Sequence, residues 1–448
     1  MLHAIRFKDG KATYVSRYVQ TSRYLQEHAY QASQFFKYGD LLGSFGLFAY
    51  YLHLLRGELG ELVMSYGFAN ADTGLIYHNG MLMALQDFDK PYVIKVLENG
   101  DLQTLGINSY NNKLTSNFTP HAKKDPETGE LFTFGSSIKA PYTIYNVVSK
   151  DGIMGDPVSI TTSGPSYMHD FGITENYVIF MDLPFNFDPE NMVTRNDWIY
   201  RFDTTKKSRF GVLPRYSKNE EGIKWFEFDE PFYIFHNANA WEDGEGNAIL
   251  ISCVMKREVE HIGHHMSFIP PMFYSASTPG LKGTQLEFPQ LFKFTFNMKT
   301  GKCYQEQLST SFVDYPKVNE SHLGRKTRYI YTSKFDKLSS KIPSIVKFDL
   351  EGQGAKSLES KLDYGGNTYG SEVVFVPSVQ TDRPLEEDDG YLLSFAHDEH
   401  TDLSYAYVIS AQKMETVAVI KLPSRVPYGF HATYMTEREI QGQISNLA

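Results

Sequence analysis

Apolar and polar positions alternate with a period of two in short runs along this chain, and the runs recur in one form. Residues 92–100 read Tyr-Val-Ile-Lys-Val-Leu-Glu-Asn-Gly, and residues 143–152 read Thr-Ile-Tyr-Asn-Val-Val-Ser-Lys-Asp-Gly. Similar runs begin at Trp198, Leu291, Ile345 and Tyr405, so most copies lie about fifty residues apart. Side chains on a strand point alternately to its two faces, so each run predicts a strand with unlike faces. Closure by Asn-Gly, Asp-Gly or another Gly-bearing polar turn predicts a hairpin. Self-similarity at a period of about 40–50 residues points to a β-propeller. A sandwich with many hairpins is the plainer alternative, but sandwiches rarely run this long at one spacing. The expectation is an all-β propeller occupying 1–448 as one unit.

One stretch breaks the pattern. Between residues 21 and 62, Leu41, Phe45, Phe48, Leu52 and Leu55 recur at spacings of four and three, which predicts a helix. Leu47, Tyr50, Tyr51 and Leu54 widen the stripe, and His53 and Arg56 leave a thin polar face. Two readings stand: a helical insertion packed on the propeller, or an amphipathic patch that dips into a membrane surface.

Composition narrows the function. The 448 residues are 42% hydrophobic and carry a formal net charge of −10, with Lys and Arg scattered rather than striped. A nucleic-acid partner would want a basic face, so none is expected. Cys253 and Cys303 are the two cysteines. They make a disulfide framework or a thiolate metal site a poor reading and a reducing, cytoplasmic compartment the default. No run of about 18 apolar residues is present to span a bilayer. The first residues, Met-Leu-His-Ala-Ile-Arg, do not read as a signal or transit peptide.

Chemistry concentrates in four histidines: His121, His169, His236 and His431. Each lies in an aromatic or apolar context, as in Tyr-Met-His-Asp-Phe, Ile-Phe-His-Asn-Ala and Tyr-Gly-Phe-His-Ala. A lone buried histidine usually hydrogen-bonds within a core. Four in matching contexts suit iron, zinc, copper or nickel. The first three lie shortly before the apolar runs at Leu131, Tyr177 and Ala248. If those runs are the innermost strands of successive blades, the imidazoles converge on the propeller axis.

Those motifs carry a resemblance. The chain resembles the carotenoid cleavage dioxygenases, and most closely the plant cytosolic type that cleaves at the 9,10 and 9′,10′ bonds. The stretches that carry it are 8–17, 90–106, 125–130, 168–176 (Met-His-Asp-Phe-Gly-Ile-Thr-Glu-Asn), 235–242 and 425–431 (Arg-Val-Pro-Tyr-Gly-Phe-His). The resemblance implies a seven-bladed propeller with helical insertions on its top face and Fe(II) on the four histidines. It also implies carotenoid or apocarotenoid substrates, O₂, and cleavage of one conjugated double bond to two carbonyl products. Three acidic residues are implied to orient the ligands: Asp87, Glu372 and Glu415. The relatives carry glutamate where Asp87 stands, so its shorter side chain is expected to reach a histidine through water or not at all. About a blade of family sequence precedes the stretch matching Met1, so the first blade is expected to be incomplete. A transit peptide in that preceding sequence would make the compartment a plastid. Residues 255–287 diverge from the relatives. Phe118, Phe171, Trp241 and Phe430 are candidate walls of a substrate tunnel.

Among the other ten histidines, His261, His264 and His265 form a cluster that reads as a solvated surface group. No phosphate-binding loop, dinucleotide fingerprint or nucleophile elbow appears. Two alternatives stay open: a chain that binds an isoprenoid without turnover, and a propeller metalloenzyme using zinc.

Overall fold

The computed structural model describes residues 1–196, 198–256, 288–337, 339–352, 358–379 and 385–447. The histidine cluster at 261–265 and nearly all of the divergent segment lie outside these. Among the described residues, six antiparallel sheets of four or five strands follow one another as propeller blades. Blade one is built from Gly74–His78, Met81–Leu85, Tyr92–Val96 and Leu102–Ile107; blade two from Lys123–Lys124, Leu131–Ser136, Tyr142–Val148 and Val158–Thr161. Blade three comprises Gly172–Ile173, Tyr177–Asp182, Ser208–Pro214 and Lys224–Phe228; blade four Phe232–Glu242, Asn247–Lys256, Gln290–Asn297 and Cys303–Gln307. Blade five holds Val313–Lys317, Tyr329–Lys334, Ser344–Asp349 and Leu358–Asp363. In blade six, Thr368–Gly370 and Val374–Pro377 both pair with Gly390–Asp398, followed by Leu403–Ser410 and Glu415–Lys421.

Five of the six alternating runs are the third strand of a blade. The third strands Tyr142–Val148, Gln290–Asn297 and Leu403–Ser410 largely alternate buried and half-buried positions, which makes them legible. Second strands such as Met81–Leu85 are buried at every position and read as continuous apolar runs. The run at Trp198 departs from this. Tyr200–Phe202 pairs with Phe185–Phe187 in a separate two-stranded sheet, and Ser208–Pro214 supplies the third strand of blade three. Gly211 disguises that strand. A Cβ there would come within 2.9 Å of the Trp225 ring and 2.6 Å of Ile223, so the sheet needs glycine at this point. The runs at Leu131, Tyr177 and Ala248 are second strands, not innermost ones. The strand before each is the one that carries or closely follows a histidine.

Helices α1 (Ser22–Tyr30) and α2 (Gly43–Glu58) fall within the stretch predicted to be helical. A third helix, α3 (Pro189–Arg195), packs against α2. Thr21 caps α1 by accepting the Tyr24 N–H at 3.1 Å. The orientation of α2 is informative. Leu47 and Tyr50 pack on the core, whereas Phe45, Phe48, Leu52 and Leu55 of the predicted stripe are exposed, Phe45 by 79%. No helix among the described residues is long and apolar enough to cross a membrane.

Two features tie the blades together. The hairpin Leu2–Lys8/Lys11–Arg17 lies between the last blade and the first. Its Ile5 and Tyr14 pack against Ala406 and Leu422, and its Leu2 packs against Leu82 and Ile94. Arg17 reaches Asp101 of blade one at 2.8 Å. The second tie is Asp125, fully buried after the first strand of blade two. It accepts Arg215 Nη1 at 2.7 Å from blade three and Arg325 Nη1 at 2.8 Å from blade five.

Candidate metal centre

The four histidines come from four separate places in the chain and meet. His121 precedes the first strand of blade two, His169 precedes that of blade three, and His236 lies within that of blade four. His431 follows the last strand of blade six. One ring nitrogen from each lies within 4.8 Å of the others. His121 Nε2 is 3.0 Å from His169 Nε2. Ring centroids in contact lie between 4.4 and 5.3 Å apart.

Three of the rings are fixed by carboxylates. His169 Nδ1 donates to Asp87 Oδ1 at 2.9 Å, His236 Nδ1 to Asp314 Oδ1 at 2.9 Å, and His431 Nδ1 to Glu372 Oε1 at 2.8 Å. A carboxylate only accepts, so each Nδ1 carries the proton and each Nε2 lone pair is left free. All six of these side chains are nearly buried. Asp87 therefore reaches its histidine directly, without water, despite its short side chain. Glu415 does not orient a histidine: it is exposed at the start of the last strand of blade six, opposite Ser410. Asp314 stands where Glu415 was expected to act. It lies on the short strand Val313–Lys317, 78 residues from His236 in sequence. The local signal was a single aspartate within Phe-Val-Asp-Tyr-Pro, too common a pattern to single out.

The electrostatics suit a cation. Burial pushes His431 down to about 4, against the opposing pull of Glu372. Burial, together with the other three imidazoles, holds His121 well below the ordinary histidine range. Both rings are therefore neutral and ligand-ready near pH 7. Burial alone would raise Glu372, but the Lys317 ammonium 3.2 Å away and His431 outweigh it and hold the carboxyl below its ordinary value.

Three tests of fit agree. His236 Nε2 is a buried polar atom without a hydrogen-bond partner, a state that a metal would relieve. Two imidazole nitrogens bound at about 2.1 Å and at right angles to one ion stand about 3.0 Å apart, the separation of His121 and His169. Three carboxylates and one lysine leave two negative charges, the complement of a divalent ion. The residues fit a metal with a neutral nitrogen donor set.

The aromatic neighbours of the centre differ from those expected. Phe118, Phe171 and Trp241 lie in core clusters, and Phe430 is half-buried. The rings beside the histidines are Tyr167, Phe235 and Tyr315, with Tyr315 5.2 Å from His236 and 5.4 Å from His431. A series of ring contacts also leads outward. From His169 it runs through Tyr167, Phe88 and Phe68 to Phe36, with centroid steps of 6.0, 6.0, 5.7 and 5.1 Å. Phe36 lines a cleft of about 410 Å³ with Leu42, Phe45 and His53, at the exposed side of α2.

The carboxylate assignment has a direct check. Outer partners of metal-bound histidines are typically worth about 10–100-fold in metal affinity. Asp314→Asn is expected to weaken divalent-metal binding by about that factor, and Glu415→Gln to leave it unchanged, as read by chelator competition.

Comparison with known proteins assigns the chain a family and a fold. Residues 1–436 match the family described as retinal pigment epithelial membrane protein, RPE65. The chain is 50% identical over 457 residues to carotenoid 9,10(9′,10′)-cleavage dioxygenase 1 of Pisum sativum, covering 99% of this chain and 81% of the pea protein. It is 49% identical over 459 residues to the carotenoid 9,10(9′,10′)-cleavage dioxygenase of Crocus sativus, covering 100% and 81%. Among solved structures, Pseudomonas brassicacearum lignostilbene dioxygenase superposes with a TM-score of 0.77 at 22% identity, covering 96% of this chain and 85% of that one.

Proposed function

The chain belongs to the RPE65/carotenoid oxygenase family of dioxygenases, and on that premise we propose that it cleaves one conjugated double bond of a carotenoid or apocarotenoid at a ferrous ion held by His121, His169, His236 and His431. The observation that carries this reading is the convergence of four imidazoles, three of them locked by carboxylates with Nε2 left free. Iron is favoured over zinc because catalytic zinc commonly takes three protein ligands. When bound, the ferrous ion would supply the activation of O₂ that an organic side chain cannot.

The chain's own residues do the rest. Asp87, Asp314 and Glu372 keep the proton on Nδ1, so the ligating nitrogens stay basic. Tyr167, Phe235 and Tyr315 wall the centre with apolar surface, which excludes water and holds a polyene in place. The α2 cleft is the proposed place where substrate first docks. Phe45 at that cleft and the exposed Phe48 and Leu55 elsewhere on α2 form the proposed contact with a membrane surface, from which an insoluble substrate would be drawn. In the balanced reaction each carbon of the broken C=C bond receives one oxygen atom of O₂, giving two carbonyl products. The names of the 50% and 49% identical relatives make 9,10 and 9′,10′ the first bonds to assay. We read the hairpin Leu2–Lys8/Lys11–Arg17 as part of a seventh blade between blades six and one, and the compartment as cytoplasmic.

The test is to load the full chain anaerobically with ferrous ion and incubate it with β-carotene or an apocarotenal under ¹⁸O₂. The expected result is two carbonyl fragments, each carrying label. Bound but uncleaved isoprenoid would favour the non-catalytic alternative.

A further inference from the structure

The three carboxylates that orient histidines are not secured in the same way. Glu372 gives its second oxygen to the Ala432 backbone N–H at 2.9 Å. Asp314 accepts the Tyr315 N–H at 2.9 Å on the same Oδ1 that takes His236, and the Cys253 thiol also hydrogen-bonds to it. Those backbone donors persist under side-chain substitution. Asp87 instead gives its second oxygen to a side chain, the Tyr167 hydroxyl, at 3.2 Å.

Tyr167 is itself firmly held. It is 8% exposed, its ring lies nearly parallel to His169 (14°, centroids 6.0 Å apart), and Tyr200 packs against it at 5.1 Å. Its carbonyl accepts the Tyr233 hydroxyl at 2.7 Å. An aspartate is one methylene shorter than a glutamate, and the phenol oxygen occupies space into which a longer carboxylate would extend.

We propose that Tyr167 is a positioning residue of the metal centre: its hydroxyl and His169 Nδ1 divide the two oxygens of Asp87, and this shared grip sets the pose of the His169 imidazole. The proposal rests on the metal reading above. It treats Asp87 and Tyr167 as one unit that does the work of a single longer side chain. Removing the hydroxyl frees one carboxylate oxygen, lets Asp87 rotate, and loosens His169.

The test measures ferrous affinity of the full chain by anaerobic chelator competition, with circular dichroism to confirm folding. Tyr167→Phe is expected to weaken binding by about 10-fold, the low end for an outer partner of a ligand. Asp87→Glu alone is expected to weaken it as well, because the phenol blocks the longer side chain. The double variant Asp87→Glu/Tyr167→Phe should bind more tightly than either single variant. Tyr145→Phe controls for loss of a buried hydroxyl, since Tyr145 is fully buried and donates to the Arg215 carbonyl at 2.8 Å; it should stay within about twofold of wild type, the usual scatter of independent sites. Tyr167→Phe within about twofold of wild type, or strictly additive effects of the two substitutions, would overturn the proposal. A loss in Tyr145→Phe equal to that in Tyr167→Phe would overturn it too. A wild-type chain that binds no ferrous ion would instead sink the metal reading itself.

Discussion

His236→Ala is expected to remove ferrous binding and double-bond cleavage together while the six blades stay folded. His236 lies in the middle of the buried strand Phe232–Glu242, its Nδ1 is committed to Asp314, and its Nε2 has no hydrogen-bond partner. That lone pair has no structural task. Its loss costs the centre one of four ligands; the cavity and the buried Asp314 carboxylate left without its partner also lower stability, which urea titration of the variant reads separately from metal content. The effect on metal affinity should exceed the roughly 10–100-fold assigned to an outer partner. Metal analysis of the purified variant beside product chromatography checks this. Retained iron with full activity would remove His236 from the ligand set.

The second large effect concerns the frame. Asp125→Asn is expected to destabilise the fold by about 3 kcal/mol, the low end for breaking a buried ion pair, since one partner is partly solvated. The carboxylate is fully buried, Arg215 is 2% exposed and the Arg325 side chain 26%. Asparagine keeps one acceptor but removes the charge, and leaves the buried Arg215 guanidinium without its counter-ion. Burial pushes the Asp125 carboxyl up, but hydrogen bonds from Arg325 and Arg215 outweigh burial and hold it at about 2. The folded value lies below the unfolded one, so this stabilisation is complete above about pH 4 and is lost as pH falls toward 2. Urea titrations of wild type and variant should therefore differ most near neutrality and converge at about pH 2.

The sequence was legible where residues sit in unusual company. Each of the four converging histidines lies among aromatics or apolar residues, and those motifs are long enough to stand out. Glu372, in Tyr-Gly-Ser-Glu-Val, was reached through the family resemblance, whose motif spans it. Asp314 was not, because its role is created by the meeting of two blades and nothing within Val313–Lys317 records His236. Glu415 was misplaced because a glutamate entering a hairpin strand looks alike whether it faces solvent or a histidine.

The blades show the same division. Third strands Tyr142–Val148, Gln290–Asn297 and Leu403–Ser410 largely alternate because their faces differ, whereas second strands such as Met81–Leu85 and Leu131–Ser136 are buried on both faces and do not. In blade three, Gly211 and an inserted hairpin shifted the apparent repeat from Ser208 to Trp198. In α2 the periodicity correctly gave a helix but not its orientation. A helix apolar nearly all round does not announce which side meets the core, and Phe45 and Phe48 lie on the side that does not. The tie between Tyr167 and Asp87 joins residues 80 positions apart and needed coordinates to be seen.

Iron-edge anomalous diffraction from crystals grown anaerobically with ferrous ion tests the central claim most directly. One peak is predicted, with Nε2 of His121, His169, His236 and His431 each about 2.1 Å away, the usual metal–imidazole distance. A peak elsewhere, or none between these four rings, would contradict it.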